Sequence, residues 1–284
     1  GHKILSEGTL FVVATPIGNL DDLSPRARQV LGAVDLIAAE DTRVTGRLLS
    51  HFGIDCRQTA LHDHNEKDKS AALIRRLESG ESIALVSDAG TPLISDPGFT
   101  VVRSAHAAGI TVSPVPGASA LVAALSASGL PTDRFVFEGF LPAKKGARAD
   151  RLQALNDESR PMIFYESVHR MADCIAAMRQ TFGADRSAFI GRELTKLHEQ
   201  CVAATLAELA AMIDSGEIPG KGEFVIIVAG REGRSVSAID IDRLLTELLE
   251  TMPGKQAADI TARVTGGNRN AVYQRMLTLK DGTD

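Results

Sequence analysis

Apolar residues in the first ~125 positions fall into short runs separated by stretches of helical periodicity. Leu10–Ala14, Val34–Ala39, Ser82–Val86 and Ile110–Val115 are rich in β-branched residues and lack polar alternation. They predict strands covered on both faces. Between them, Ser24-Pro25 opens a helix as N-cap and first-turn proline. Leu48, Leu49 and Phe52 close an apolar stripe before Gly53, and Leu73, Ile74 and Leu77 another before Gly80, the residue type that most often ends a helix. Strand–helix alternation predicts a mainly parallel sheet with right-handed crossovers.

The pattern changes around residues 127–134, where a domain boundary is expected. Strands over 134–140, 162–165, 188–191 and 224–229, with helices over 168–182 and 205–215, predict a second α/β or α+β domain with a mixed sheet. Gly230–Ser237 reads as a linker into a helical tail. There Ile241, Leu244, Leu245, Leu248, Leu249 and Met252 form one face; Lys255–Val264, a Thr-Gly-Gly-Asn turn and Arg269–Leu279 then outline a helix-turn-helix, with Val272, Met276 and Leu279 inward. The expected domains are 8–128, 129–230 and 238–280.

Composition refines this picture in a few places. At 284 residues, with 44% hydrophobic and 24% charged positions, the chain reads as globular. Cys56, Cys174 and Cys201 are far apart and form no C-x-x-C, so neither a disulfide framework nor a cysteine zinc site is expected, and a reducing cytoplasm is the simplest setting. His62 and His64, with Asp63 and Glu66, read as polar surface rather than metal ligands, and no metal is expected. Gly1-His2 reads as a cloning remnant, and no targeting signal is expected. Residues 107–132 carry no charge but are punctuated by Gly109, Pro114, Pro116, Gly117, Gly129 and Pro131, which fits a strand, turn and short helix rather than a membrane span.

The candidate chemistry sits in four loops at strand ends. These are Thr15-Pro-Ile-Gly-Asn-Leu20, Glu40-Asp-Thr-Arg43, the long Ser87–Gly98 loop with its Asp-Ala-Gly-Thr-Pro stretch, and Pro116-Gly-Ala-Ser-Ala120. In an open α/β sheet, ligands collect beyond the carboxyl ends of the strands. Both G-x-G-x-x-G and the P-loop pattern are absent, which argues against NAD and ordinary NTPase chemistry.

These loops, with Tyr165-Glu-Ser-Val-His-Arg170 and Gly191-Arg-Glu-Leu-Thr-Lys-Leu-His-Glu199, resemble the tetrapyrrole-methylase-like (class III) S-adenosylmethionine-dependent methyltransferases, in particular those that modify ribosomal RNA. The resemblance covers roughly residues 8–230, and the helical tail also occurs in that family. It implies two α/β domains with S-adenosyl-L-methionine in the cleft between them, and a homodimer. The implied reaction is methylation of a cytidine 2′-hydroxyl in the decoding region of 16S ribosomal RNA, either free or in the assembled 30S subunit. Carried over, it assigns Pro16, Asp88, Ala89, Gly90, Thr91, Ile94, Ser119, Ala120 and Tyr165 to the cofactor, and Glu166, Arg170, Arg192 and Glu193 to catalysis. The Gly-rich first loop of the tetrapyrrole enzymes is replaced here by Thr-Pro-Ile-Gly-Asn, which weakens the case for a porphyrin acceptor.

An acceptor hydroxyl must lose a proton, and Glu40, Asp41, Glu166, His169, Glu193 and Glu199 are all candidate bases; positioning alone is the other possibility. Arg43, Arg170, Arg192 and Lys196 suit phosphate contacts. The net charge of −5 hides two basic segments. Arg134, Lys144, Lys145, Arg148 and Arg151 outnumber Glu138 and Asp150, and Lys255, Arg263, Arg269, Arg275 and Lys280 outnumber Asp259. From these, Arg43, Lys144, Lys145, Arg148, Lys196, Arg263, Arg269 and Arg275 are the expected RNA contacts. Pro142–Arg148 reads as a flexible linker able to order on RNA, and Tyr273 as partial core or a base-stacking residue. Two alternatives stay open: methylation of a tetrapyrrole or other small molecule, and a non-enzymatic helix-turn-helix regulator.

Overall fold

The computed structural model describes residues 8–96, 98–232 and 238–282. The chain forms two compact units, one running through Gly230 and one from Arg231 onward. The first unit contains both predicted sheets.

Its first sheet is built from β1 (Thr9–Val13), β2 (Leu36–Ala39), β3 (Gln58–Ala60), β4 (Ile83–Val86) and β5 (Thr111–Val115), in the order β3-β2-β4-β1-β5. Every pairing is parallel. Helices α1 (Pro25–Ala33) and α2 (Thr42–His51) cover one face, where Val30, Leu31 and Leu49 pack on Phe11, Val13 and Ile37. Helices α3 (Glu66–Glu78) and α4 (Phe99–Ala107) cover the other, where Leu73, Leu77 and Val101 pack on Leu10, Leu36, Ile83 and Leu85. Ser24 caps α1 as expected, its hydroxyl accepting from the Ala27 amide.

Two expectations need correction here. The short strand β3 was not foreseen, because Gln58-Thr-Ala60 is half-buried and carries no apolar run. The strand β5 is not covered on both faces: it is an edge, with Thr111 and Pro114 exposed. Pro114 has no N–H to donate, which an edge strand tolerates.

The connections define a switch point. The chain leaves β1 toward β2 on one side and leaves β4 toward β5 on the other, although β1 and β4 are neighbours. Their following helices lie on opposite faces, so a crevice opens beyond their carboxyl ends.

After α5 (Ala120–Ala127), the second sheet uses β6 (Val136–Phe140), β7 (Met162–Ser167), β8 (Ser187–Arg192), β9 (Gln200–Thr205) and β10 (Glu223–Val228), in the order β6-β7-β10-β8-β9. Only β6 and β7 pair in parallel. Helices α6 (Lys145–Ala154), α7 (Met171–Phe182) and α8 (Leu206–Asp214) cover one face, with Leu152, Ile175, Met178 and Leu209 against Phe164, Ile190 and Ile226. The opposite face, carrying Ile163, Phe189, Val225 and Ile227, packs on Leu121, Ala124 and Leu125 of α5. Both faces of β10 are thus buried, which explains its unbroken apolar run. Each such side chain taken from water contributes about 1.5–3 kcal/mol.

The flexible linker expected at Pro142–Arg148 is instead a turn leading into α6, in which Arg148 is buried. The stripe of Arg148 and Leu152 had been masked by the neighbouring lysines and glycine. The hairpin strand β9 was also missed, since Cys201, Ala203 and Ala204 make no strong apolar signal.

Of the expected Gly230–Ser237 linker, residues 233–237 lie outside the described residues. The second unit holds α9 (Ala238–Leu249), α10 (Gly254–Thr265) and α11 (Arg269–Asp281) around Leu245, Ala257, Ala258, Val272 and Met276. The turn between α10 and α11 forms as predicted. Gly266 takes φ 67°, and the Asn268 side chain caps α11 by accepting from the amides of Asn270 and Ala271. Among the described residues, no helix is long and apolar enough to cross a membrane.

Candidate functional site

The loops after β1 and β4 are laced together at the switch point. Thr15 and Gly90 exchange two backbone hydrogen bonds of 3.1 Å each, and the Thr91 hydroxyl donates to the Ala118 carbonyl at 2.9 Å. Gly90 has φ 81°; a methyl at its α-carbon would lie 3.1 Å from Ile17 Cγ2 and 3.4 Å from the Ala118 oxygen. Only glycine lets the three loops meet this closely without strain. From the second sheet, the Tyr165 hydroxyl accepts from the Leu121 amide in the first turn of α5 at 3.1 Å.

These contacts enclose a cleft of about 250 Å³. Its floor is the backbone of Ala89, Gly90, Thr91, Ser119 and Ala120; Ile94 and Tyr165 wall it, together with Ile17, Phe140, Leu194 and Val225. The structure therefore brings seven of the nine expected cofactor residues to one cavity. The other two, Pro16 and Asp88, line an adjoining depression of about 360 Å³ on the α2 side, with Thr45, Leu48 and His51. Sequence reasoning missed Ile17, Asp96, Phe140, Leu194 and Val225. The lone apolar Ile17 inside a Pro-Ile-Gly turn was one available signal, and Asp96 stands in the long loop already singled out; Phe140, Leu194 and Val225 reach the cleft only through the packing of the second sheet on α5. The long loop is strained where it meets the cleft, with Leu93 at φ 76° and Ser95 at φ 63°.

Carboxylates gather beside this cleft. The Asp88 side chain accepts from the Asp41 amide at 3.0 Å, and Glu40 accepts from the Asp88 amide at 3.4 Å. Burial lifts the Asp88 carboxyl; the hydrogen bond from the Asp41 amide opposes the lift, and the charge of the Asp41 carboxylate adds a smaller push upward. Glu40 is lifted by burial and by Asp88 and Asp96. Asp96, in the cleft itself, is raised by burial and by Asp88 and Asp63, against a hydrogen bond from Ser87. Asp41 behaves oppositely: the Arg43 guanidinium holds it down to about 2.

Asp96 yields a signed prediction. Its carboxyl keeps its proton to higher pH in the folded protein than in the unfolded chain, so folding loses stability as pH rises above the usual carboxylate range. Asp96→Asn removes that loss. Because the group is partly solvated, the expected gain at neutral pH is small, about 1–2 °C in Tm, and it vanishes in acid. Thermal melts at both pH values test this; an equal or lower Tm at neutral pH would contradict it.

Of the four expected catalytic residues, Glu166 lines the cleft and Arg170, Arg192 and Glu193 do not. Glu166 shares the end of β7 with Tyr165, but its carboxylate turns toward α7 and is 1% exposed. It accepts from the Ser167 amide at 2.8 Å and the Cys174 thiol at 2.9 Å, and pairs with Arg170 at 3.4 Å. Burial and the Glu166 hydrogen bond push the Cys174 thiol up to about 12, so it stays a neutral donor. Arg192 braces a loop: its guanidinium donates to Gln200 Oε1 and to the carbonyls of Lys221 and His198. Glu193, at φ 50°, pairs with Lys196 at 2.7 Å, and that lysine also reaches Glu223 at 3.2 Å. Burial opposes the charge on Lys196, but its two carboxylate partners outweigh this and raise its pKa. The Lys196 stem lies over Gly18, where a methyl would come within 2.5 Å of it.

The expected RNA-contact residues are dispersed. Arg43 is exposed at the start of α2 and paired with Asp41. Lys144 and Lys145 are exposed at the head of α6, while Arg148 is buried one turn later. In the second unit Arg263 is exposed, Arg269 pairs with Asp259, and Arg275 is held bidentately by Asp242. Tyr273 is 39% exposed. Among the described residues no cluster of His, Cys, Asp and Glu suits a metal.

Comparison with known proteins places this geometry. The family model described as Tetrapyrrole (Corrin/Porphyrin) Methylases matches residues 9–210, and that of the RsmI C-terminal HTH domain matches residues 235–280. The chain is 53% identical to the ribosomal RNA small subunit methyltransferase I of Pseudomonas aeruginosa, over 96% of this chain and 98% of that protein. It is 50% identical to the protein of the same name from Escherichia coli O157:H7, over 96% of both. Among solved structures, a diphthine synthase superposes with TM-score 0.59 at 18% identity, over 80% of this chain and 91% of the other. A uroporphyrin-III-C-methyltransferase from Thermus thermophilus gives 0.55 at 18% identity, over 78% and 94%. These structures share the fold.

Proposed function

The chain belongs to the tetrapyrrole (corrin/porphyrin) methylase family, and from that premise we propose that it transfers a methyl group from S-adenosylmethionine to small-subunit ribosomal RNA, at the 2′-hydroxyl of a cytidine in the 16S decoding region. One observation carries this reading above a tetrapyrrole acceptor. Identity near one half extends over nearly the whole length of ribosomal RNA methyltransferases, tail included, whereas the porphyrin enzyme shares only the fold.

The cleft fits the cofactor. Apolar walls from Ile94, Tyr165, Leu194 and Val225 suit an adenine ring and a methionine stem, and the backbone floor of Ala89–Thr91 and Ser119–Ala120 offers amides and carbonyls without side-chain bulk. Glycine at position 90 keeps that floor open. The bound cofactor supplies an electrophilic methyl group on a sulfonium. What the protein adds is mainly alignment and exclusion of water. Tyr165, fixed to α5 through the Leu121 amide, holds the second sheet against the cofactor loops. Of the acidic residues lining the cleft, Glu166 has its carboxylate turned toward α7, and Asp96, lifted by burial, is suited to take the proton of the attacking hydroxyl. Pro16 and Asp88 shape the adjoining depression, which suits the acceptor nucleotide.

For RNA, the reading assigns phosphate contacts to Arg43, Lys144, Lys145 and Lys196 in the first unit and to Arg263, Arg269 and Arg275 in the tail. It includes a homodimer, as the family resemblance implies, working in the cytoplasm, the setting that the three scattered cysteines favour. The test is to treat unmethylated 16S ribosomal RNA and 30S subunits with the protein and cofactor, then map ribose methylation by primer extension at limiting nucleotide. One 2′-O-methylated cytidine is expected. Methylation of a base with its ribose unmodified, or no methylation of either substrate, would refute the reading.

A further inference from the structure

A second concavity lies on the other side of the second sheet, between α6 and α7. This groove, about 960 Å³, runs along α7 from Arg170 to Thr181. Because α6 and α7 each follow a strand of the parallel pair β6–β7, both helices begin at the same end of the sheet. Neither start is closed by a side-chain cap: Lys144 and Arg170 occupy the cap positions without making the bond. First-turn amides at such ends attract anions.

The observation that points to a ligand is Arg148. It lines the groove, is only 7% exposed, and its Nε is buried with no hydrogen-bond partner. A buried guanidinium donor without a partner is costly. The Cys174 thiol interacts with the Arg148 guanidinium, and the Glu166 carboxylate beyond it already accepts from Ser167 and Cys174 and is ion-paired with Arg170. Arg170 and Lys145 add positive charge at the same end, while Asp150 and Asp173 also border the groove. Asp173 stands in the first turn of α7, so the cations at this head are partly offset and the remaining positive charge suits a single phosphate rather than a long anionic track.

We propose that the head of the α6–α7 groove is a phosphate subsite that holds one phosphodiester of an RNA strand, with Arg148 and Arg170 as donors and Lys145 at the rim. The assignment to RNA rests on the function proposed above. The open length of the groove favours a strand over a free phosphate, since one ion would leave most of it empty. Tyr165 and Glu166 are adjacent on β7 but face opposite sides, so a phosphate here binds away from the reacting methyl group and positions the strand.

The test uses the full chain and a fluorescein-labelled oligoribonucleotide of the 16S decoding-region sequence, followed by anisotropy across a salt series. Arg148→Gln is expected to weaken binding about tenfold and to flatten the salt dependence by about 0.7 in log–log slope, the value for one lost single-strand phosphate. Cofactor affinity should stay unchanged, because the cleft lies on the other face. Should Arg148→Gln fail to fold, Ala176→Asp places a negative charge on an exposed groove position and is expected to weaken binding likewise.

Folded variants that bind the oligoribonucleotide with wild-type affinity and slope would overturn the subsite while leaving the methyltransferase reading intact. Loss of ribose methylation activity by the wild-type protein, with oligoribonucleotide binding still sensitive to Arg148→Gln, would refute that reading and support the subsite. Sodium pyrophosphate is the control for a free-ion site. Stabilisation of the wild type but not Arg148→Gln by pyrophosphate, with oligoribonucleotide binding equal in both, would show a small-anion site and overturn the proposal.

Discussion

Gly90→Val is expected to weaken S-adenosylmethionine binding about a hundredfold while leaving the protein folded, on a scale of about 1.4 kcal/mol per decade. Gly90 is held at φ 81° by its paired hydrogen bonds to Thr15, so the backbone has no easy way to relax. A β-branched residue in that region costs about 1–3 kcal/mol. Its first carbon would already be 3.1 Å from Ile17 and 3.4 Å from the Ala118 carbonyl, and two further methyl groups would have to enter the cleft or displace its loops. Overpacking of this kind adds about 1–3 kcal/mol. Calorimetric titration measures the loss. Gly32→Ala is the matched control: it lies in α1 with nothing within 4 Å of the added carbon and should bind cofactor as the wild type does. Wild-type affinity in Gly90→Val would remove the Thr15–Gly90 junction from the cofactor site.

Glu166→Ala is expected to produce the largest loss of stability. The carboxylate is almost wholly buried, accepts from Ser167 and Cys174 and is ion-paired with Arg170, with Arg148 close to the same thiol. Removing it leaves Arg170, with its side chain 35% exposed, partly solvated, but strands two donors, the Ser167 amide and the Cys174 thiol, without their acceptor at about 1–3 kcal/mol each. For a unit of this size that corresponds to a fall in Tm of about 10 °C. Glu166→Gln keeps an acceptor for the amide and thiol, so its loss should be clearly smaller. The pair of variants also separates two roles for this residue. A carboxylate that holds the fold gives a large Tm loss in the alanine variant and a glutamine variant that still turns over. One that takes the substrate proton gives a glutamine variant of near-normal Tm with kcat down about 100-fold or more. The geometry favours the first outcome.

Much of this architecture was legible in the chain. Apolar runs predicted four of the five strands of the parallel sheet; burial on both faces leaves no room for alternation in β1, β2 and β4, whereas β5 is an edge strand with Thr111 and Pro114 exposed. The Ser-Pro start of α1, the glycines closing its neighbours and the Gly-Gly-Asn turn of the tail act through local backbone chemistry and formed where expected. The features that escaped were β3, β9 and α6. Their residues are small, polar or charged, and their burial comes from neighbours distant in sequence. Arg148 shows why: among Lys144, Lys145 and Gly146 it looks like part of a solvated basic turn, and only the packing of α6 on α7 buries it.

The candidate site divides in the same way. The motifs named the loops, and seven of nine proposed cofactor residues line one cleft because loops at a switch point share a crevice by topology. The side-chain roles were not legible. Glu166 and Tyr165 are adjacent letters, yet the two-residue period of a strand sends one into the core beside α7 and the other to the cleft. Arg192, Glu193 and Lys196 look like free charges in a motif and prove to be ties within one loop region. Sequence alone determined the order of elements, the parallel sheet and the loops that carry the chemistry, because periodicity and turn chemistry are local. The tertiary structure decided which carboxylates are buried, which arginines are occupied and which face each side chain serves, because burial and pairing depend on elements far apart in the chain.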